Sequence, residues 1–155
     1  RHYHKIIDMT IKRRIFIAFA LCLMALSATA QTVRTMTNHE EKVAAILKAV
    51  ELYAEAGRKA SREIGLQAFT EAATMSWVEN GKITTVPITA LFDVLAQTGE
   101  EEVTYEVVDV NIADNIALVR IDSWFSKLGS FNDMFTLAQQ ENGVWKIVSK
   151  IYSVK

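Results

Sequence analysis

The chain has 155 residues, the length of one ordinary domain rather than two. Half of the residues are hydrophobic and 23% are charged, which excludes wholesale disorder and fibrous repeats. One cysteine excludes a disulfide framework, and 17 basic against 18 acidic side chains argue against a nucleic-acid surface.

Residues 15–26 (IFIAFALCLMAL) form an unbroken apolar run. As a helix it would reach about 18 Å, short of the ~30 Å hydrocarbon core. Lys12, Arg13 and Arg14 precede it and Ala28-Thr29-Ala30 follows it, the pattern of a secretory signal cleaved after Ala30. The alternative is an uncleaved anchor. Met9 is the natural initiator, leaving residues 1–8 as upstream translation or the edge of a fragment. The expectation is a protein exported to the periplasm or beyond, with no membrane association after cleavage.

Residues 1–30 hold Arg1, Lys5, Lys12, Arg13, Arg14 and Asp8, so residues 31–155 keep 12 basic and 17 acidic residues and a net charge of −5. Cys22 leaves with the signal, and Phe19-Ala20-Leu21 before it is a poor lipoprotein box. The exported chain then has no thiol nucleophile, and His39 alone cannot build a Cys/His zinc site, so no metal is expected.

Residues 31–36 read as a flexible start. Thr37 or Asn38 caps a first helix, with Glu40 or Glu41 closing the box. Val43, Ile46, Leu47, Val50 and Tyr53 give its apolar stripe, and Gly57 its stop. Ser61 caps a second helix carrying Ile64, Ala68 and Phe69, weakened by Gly65. Met75, Trp77 and Val78, then Asn80-Gly81, then Ile83, Thr84 and Thr85 predict a hairpin over 74–85. Pro87 suits the first position of a third helix with Ile88, Leu91, Phe92 and Leu95 inward, ended by Gly99.

Four strands follow: one from Val103, a turn at Asp114-Asn115, one over 116–125, a loop over 127–130, one over 131–139, a turn at Glu141-Asn142-Gly143, and one over 144–154. Short connections make them an antiparallel meander. In the last strand, alternation puts Trp145, Ile147 and Ile151 on one face and Val148, Tyr152 and Val154 on the other. Apolar groups on both faces predict helices on one side and, on the other, a second copy of the chain. A few tolerated exposed apolar groups are the alternative.

GRKASREIGLQAFTEAATM (57–75), VPITALFDVL (86–95), DSWFSK (122–127) and NGVWKIVSKIY (142–152) resemble the nuclear transport factor 2-like superfamily, in the bacterial branch named "putative lumazine-binding". The resemblance runs from about Glu40 to the C-terminus. It implies an α+β fold: a cone-shaped, curved antiparallel sheet packed on three helices (the cystatin/nuclear transport factor 2-like roll). It also implies a pocket for a planar heterocycle. Family members often carry His-Pro-Asp where this chain has Thr70-Glu71-Ala72, so no role of that His or Pro carries over. The fold serves binding proteins, isomerases, cyclases and dehydratases, and by itself selects none.

Tyr53, Trp77, Phe92, Trp124, Phe135 and Tyr152 are the aromatics that could line the cone and hold a flat apolar ligand. Each is otherwise core. Asp122, sharing a face with Leu118, Arg120 and Trp124, is the candidate general base of a cofactor-free enzyme acting on a ketone or polycyclic substrate. Paired with Arg120 it is instead structural. Asp133 is a second such carboxylate. Glu100-Glu101-Glu102 reads as a solvated run, Lys146 and Lys150 as exposed strand lysines, and His39 as a solvated terminus. No nucleotide-binding loop or nucleophile elbow is present and no cofactor is expected. The leading expectation is an exported small-molecule-binding domain, homodimeric through its sheet. The alternatives are the Asp122 enzyme and an interaction module whose cone its own side chains fill.

Overall fold

The computed structural model describes residues 38–155. The signal expected over 1–30, the flexible start expected over 31–36 and Thr37 all fall on residues 1–37, which lie outside the described residues. Residues 38–58 are helical (α1), followed by α2 (Arg62–Ala68), β1 (Phe69–Glu79), β2 (Lys82–Pro87), α3 (Thr89–Thr98), β3 (Val103–Ala113), β4 (Ile116–Phe125), β5 (Gly129–Gln139) and β6 (Trp145–Val154). The element order is the expected one. The strands form one curved, unclosed six-stranded sheet in the order β2-β1-β6-β5-β4-β3. The meander is antiparallel throughout, but β1 joins β6 in parallel, so the sheet is mixed at that seam.

The turn chemistry follows the sequence. Asn80 and Gly81 take φ of 51° and 73°, the left-handed pair that a two-residue hairpin demands. Ser61 caps α2 by accepting from the Ile64 N–H. Three boundaries differ. Gly57 lies inside the last turn of α1, where a Cβ would sit 2.6 Å from Phe125 Cε1, so close packing rather than termination requires glycine there. Phe69 begins β1 instead of ending α2. Pro87 ends edge strand β2, where a missing N–H is tolerated, and Ile88 is the helix N-cap.

Ile46, Val50, Tyr53, Phe92, Phe135 and Ile147 are among the buried residues of one continuous core between the helices and the sheet's concave face. Tyr53 meets Phe69, Phe125 and Phe135 edge to face at centroid distances of 6.3, 6.0 and 5.1 Å. Gly65 lets Phe92 cross α2 at close range, since any Cβ there would overlap the ring.

The consequential departure is in β6. Leu137 pairs with Ile147 and Thr136 with Ser149, so Val148 is an extra, bulged residue. One extra residue inverts the side-chain phase beyond it. Trp145 and Ile147 face the core as expected. After the bulge it is Lys150 and Tyr152 that turn inward, while Ile151 is 48% exposed on the outer face. The expected grouping of Ile151 with Trp145 and Ile147 is therefore wrong, and so is the exposed row of Lys146 and Lys150.

Candidate functional site

The inverted end of β6 builds a cavity of about 210 Å³ between the helices and the concave face. α1 contributes Tyr53, and α3 contributes Leu91 and Val94. Met75, Phe125, Phe131 and Tyr152 come from the strands, and Leu128 from the turn between β4 and β5. That turn is held by Lys127, whose ammonium donates to the Thr98 and Glu100 carbonyls at the end of α3 and whose N–H donates to the Glu101 carboxylate. Glu101 is thus a buried anchor rather than part of a solvated run.

Among the described residues one cation reaches the cavity wall. Lys150 is 4% exposed, and its ammonium donates to Asp133 Oδ1 at 2.5 Å. Asp133, wholly buried on β5, also accepts at Oδ2 from Ser123 Oγ at 2.6 Å and from the Tyr53 hydroxyl at 3.2 Å. The Lys150 Nζ lies 4.2 Å from the Tyr152 ring centroid, a cation–π approach. Four elements converge here because 123, 133 and 150 share the inward phase of adjacent strands while Tyr53 descends from α1.

Burial pulls the Lys150 ammonium below its ordinary pKa, and the ion pair with Asp133 offsets that only in part. Burial and then the Asp133 carboxylate hold the Tyr53 hydroxyl well above the tyrosine range. The same two causes raise Tyr152. The pair is a neutral unit sunk in an aromatic wall.

The six expected aromatics divide. Tyr53 and Tyr152 line the cavity. Trp77 stands beside it, 5.7 Å from Tyr152 centroid to centroid. Phe92 and Phe135 are buried in the core, so Phe92 fills part of the cone while the cavity stays open next to it. Trp124 is 41% exposed on the outer face and lines no part of the cavity. Asp122 lies on that outer face too, its carboxylate 2.6 Å from Lys155 Nζ and 3.7 Å from Arg120 Nη2. The wall position expected for Asp122 and Trp124 is therefore corrected: inward positions of β4 are Val119, Ile121, Ser123 and Phe125. Asp133 does reach the concave side, but as an acceptor saturated by three donors. Sequence reasoning missed Lys150, because the Val148 bulge carries no local signal.

The outer face carries Ile116, Leu118, Trp124, Met134, Val148 and Ile151 exposed. A broader hollow of about 920 Å³ near its edge is lined by Arg120, Met134, Ile151 and other surface groups, together with Trp77 and Tyr152. Among the described residues no group of His, Cys, Asp and Glu is gathered as a metal site, and no helix is long and apolar enough to cross a membrane.

A family profile described as "Putative lumazine-binding" matches residues 41–153. A nuclear transport factor 2-like protein of unknown function from Shewanella baltica is 33% identical, with a TM-score of 0.69 over 74% of this chain and 94% of its own. A similar protein of unknown function from Silicibacter pomeroyi is 23% identical, TM-score 0.68, over 76% and 98%. A ketosteroid isomerase-like protein from Erwinia carotovora atroseptica is 18% identical, TM-score 0.56, over 74% and 96%, a likeness of fold. No curated protein matches. With its curved sheet, three helices and matched sequence, the chain belongs to the "putative lumazine-binding" family of the nuclear transport factor 2-like superfamily.

Proposed function

We propose that the protein is an exported small-molecule-binding domain that holds a compact, planar, largely apolar ligand against Tyr53 and Tyr152. The observation that carries this reading is an open cavity with mostly apolar walls and one polar focus. At about 210 Å³ it is smaller than the ~300–1,000 Å³ of sites for drug-sized molecules, which suits about one or two fused rings. The family's name points to a flat heterocycle of that size. A polycyclic substrate does not suit that volume. The carboxylate put forward as a base, Asp122, is paired on the other face of the sheet, which favours binding over catalysis. The export reading draws on the basic-apolar-small pattern of residues 12–30.

The exposed apolar outer face supports a homodimer formed through the sheet. Native mass spectrometry of protein purified from its own host tests these readings together. The expected species is a dimer that starts at Gln31 and releases a small molecule on denaturation. A protein free of small molecules and inert to ring-compound fragments by ligand-observed NMR would overturn the binding reading. A monomer would overturn the dimer, and an intact residue 1–30 segment the cleavage. Met134→Glu and Ile151→Glu together are expected to convert the dimer to monomer at little cost to the fold.

A further inference from the structure

We propose that the Lys150 ammonium is the group by which the cavity recognises its ligand, and that it selects an uncharged ring compound bearing a carbonyl oxygen. The inference rests on the small-molecule reading of the same cavity and adds the chemistry of what enters.

A lysine this buried is uncommon and costly unless its donors are used. An ammonium has three N–H groups. Among the described residues it donates only to Asp133, and its side chain forms part of the cavity wall. The Tyr152 ring face offers the cation an attractive surface but no lone pair. The remaining donors therefore lack a protein acceptor, and leaving them unmet in an apolar cavity is unfavourable.

Charge decides which acceptor fits. Lys150 and Asp133 already cancel, with the other Asp133 oxygen occupied by Tyr53 and Ser123. A carboxylate entering would leave one uncompensated negative charge close to Asp133, within walls such as Leu91, Phe125 and Phe131. An incoming ammonium meets Lys150 itself. A carbonyl oxygen accepts a charge-assisted hydrogen bond and adds no charge, while its ring lies against the aromatic wall.

Three probes on one bicyclic skeleton test this on the full chain by calorimetry and ligand-observed NMR: 1-indanone, indane and indane-1-carboxylate. The expected order puts 1-indanone on the order of tenfold or more ahead of the other two. Lys150→Met should bring 1-indanone down to the level of indane and leave indane unchanged. Should the lone Asp133 unfold that variant, Lys150→Met with Asp133→Asn removes both charges together and must show the same loss of preference. Equal binding of ketone and hydrocarbon by the unaltered protein would overturn the role of Lys150 and leave the cavity reading standing. Tightest binding of the carboxylate would overturn it in favour of an anion site. Failure of all three to bind the folded protein would bring down the cavity reading and this inference with it.

Discussion

Asp133 and Asp122 lie on neighbouring strands, one pointing to each side of the same sheet, and their surroundings could hardly differ more. Asp133 is sealed from solvent and shared by Tyr53, Ser123 and Lys150. Asp122 keeps 29% of its side-chain surface and meets Lys155 and Arg120 at the chain's outer face. A carboxylate beside a tryptophan looks chemically promising in a sequence, yet the strand phase gives the concave cavity to the other one. The contrast extends to energetics. A buried pair is costly to break because one charge is left stranded, whereas an exposed pair in high dielectric contributes little.

The difference can be broken most severely at the bulge. Inserting one alanine between Ser149 and Lys150, beside the bulge, would shift the alternation by one residue, turn Lys150 and Tyr152 outward, and drive Ile151 inward. Asp133 would lose its cation, and the expected cost exceeds ~4 kcal/mol, enough to abolish cooperative thermal unfolding by circular dichroism. An insertion variant that melts like the parent would show that the strand phase is not what seats the network.

Next in size comes the pair of carboxylates itself. Asp133→Ala should cost about 3–5 kcal/mol in urea unfolding, against about 0–1 kcal/mol for Asp122→Ala. Equal losses would erase the distinction between the two faces. Gly65→Ala gives a smaller test of the helix layer. Alanine would favour the helix by about 1 kcal/mol, but its Cβ overlaps the Phe92 ring, so a net destabilisation of about 1–3 kcal/mol is expected from the same urea curves.

The smallest effect is one of proton affinity. Tyr53 and Tyr152 are raised by burial and by Asp133, and Tyr105 is pushed up to about 12 by burial and its hydrogen bond to Glu51. A phenol with a raised folded pKa keeps its proton where the unfolded chain would lose it. Its stabilisation is therefore complete below about pH 10 and disappears as pH climbs through the folded value. Lys150, lowered in the folded chain, acts oppositely: its penalty is lifted as pH rises from its folded value toward the ordinary lysine value of about 10.4. Tyrosinate absorbance in the native protein should lag well behind that of the urea-unfolded chain, and Tyr53→Phe should remove the latest component. A native titration that coincides with the unfolded one would contradict the buried network.

Much of this architecture was legible in the residues. The α1 stripe of Val43, Ile46, Leu47, Val50 and Tyr53, the Ser61 cap, Asn80-Gly81 and Asp114-Asn115 are local signals, and local physics decides them. The matched strings carried the fold and the family. The site was only half legible, for a specific reason. Tyr53 and Tyr152 could be named as lining aromatics, but which face β4 and β6 turn inward is a non-local question. It is settled by pairing partners and by one bulged residue, and Val148-Ser149 resembles any strand dipeptide. Alternation counted through an unseen bulge placed Lys150 in solvent and Ile151 in the core. Counting β4 from its polar residues instead of from Val119 and Ile121 likewise brought Asp122 and Trp124 to the wrong side.

The most direct test of the account is a crystal structure of the full chain soaked with 1-indanone. The account predicts the ring between Tyr53 and Tyr152, with its oxygen within hydrogen-bond reach of Lys150 Nζ. An empty cavity with the compound seated instead beside Trp124 on the outer face, or Lys150 pointing into solvent, would contradict it.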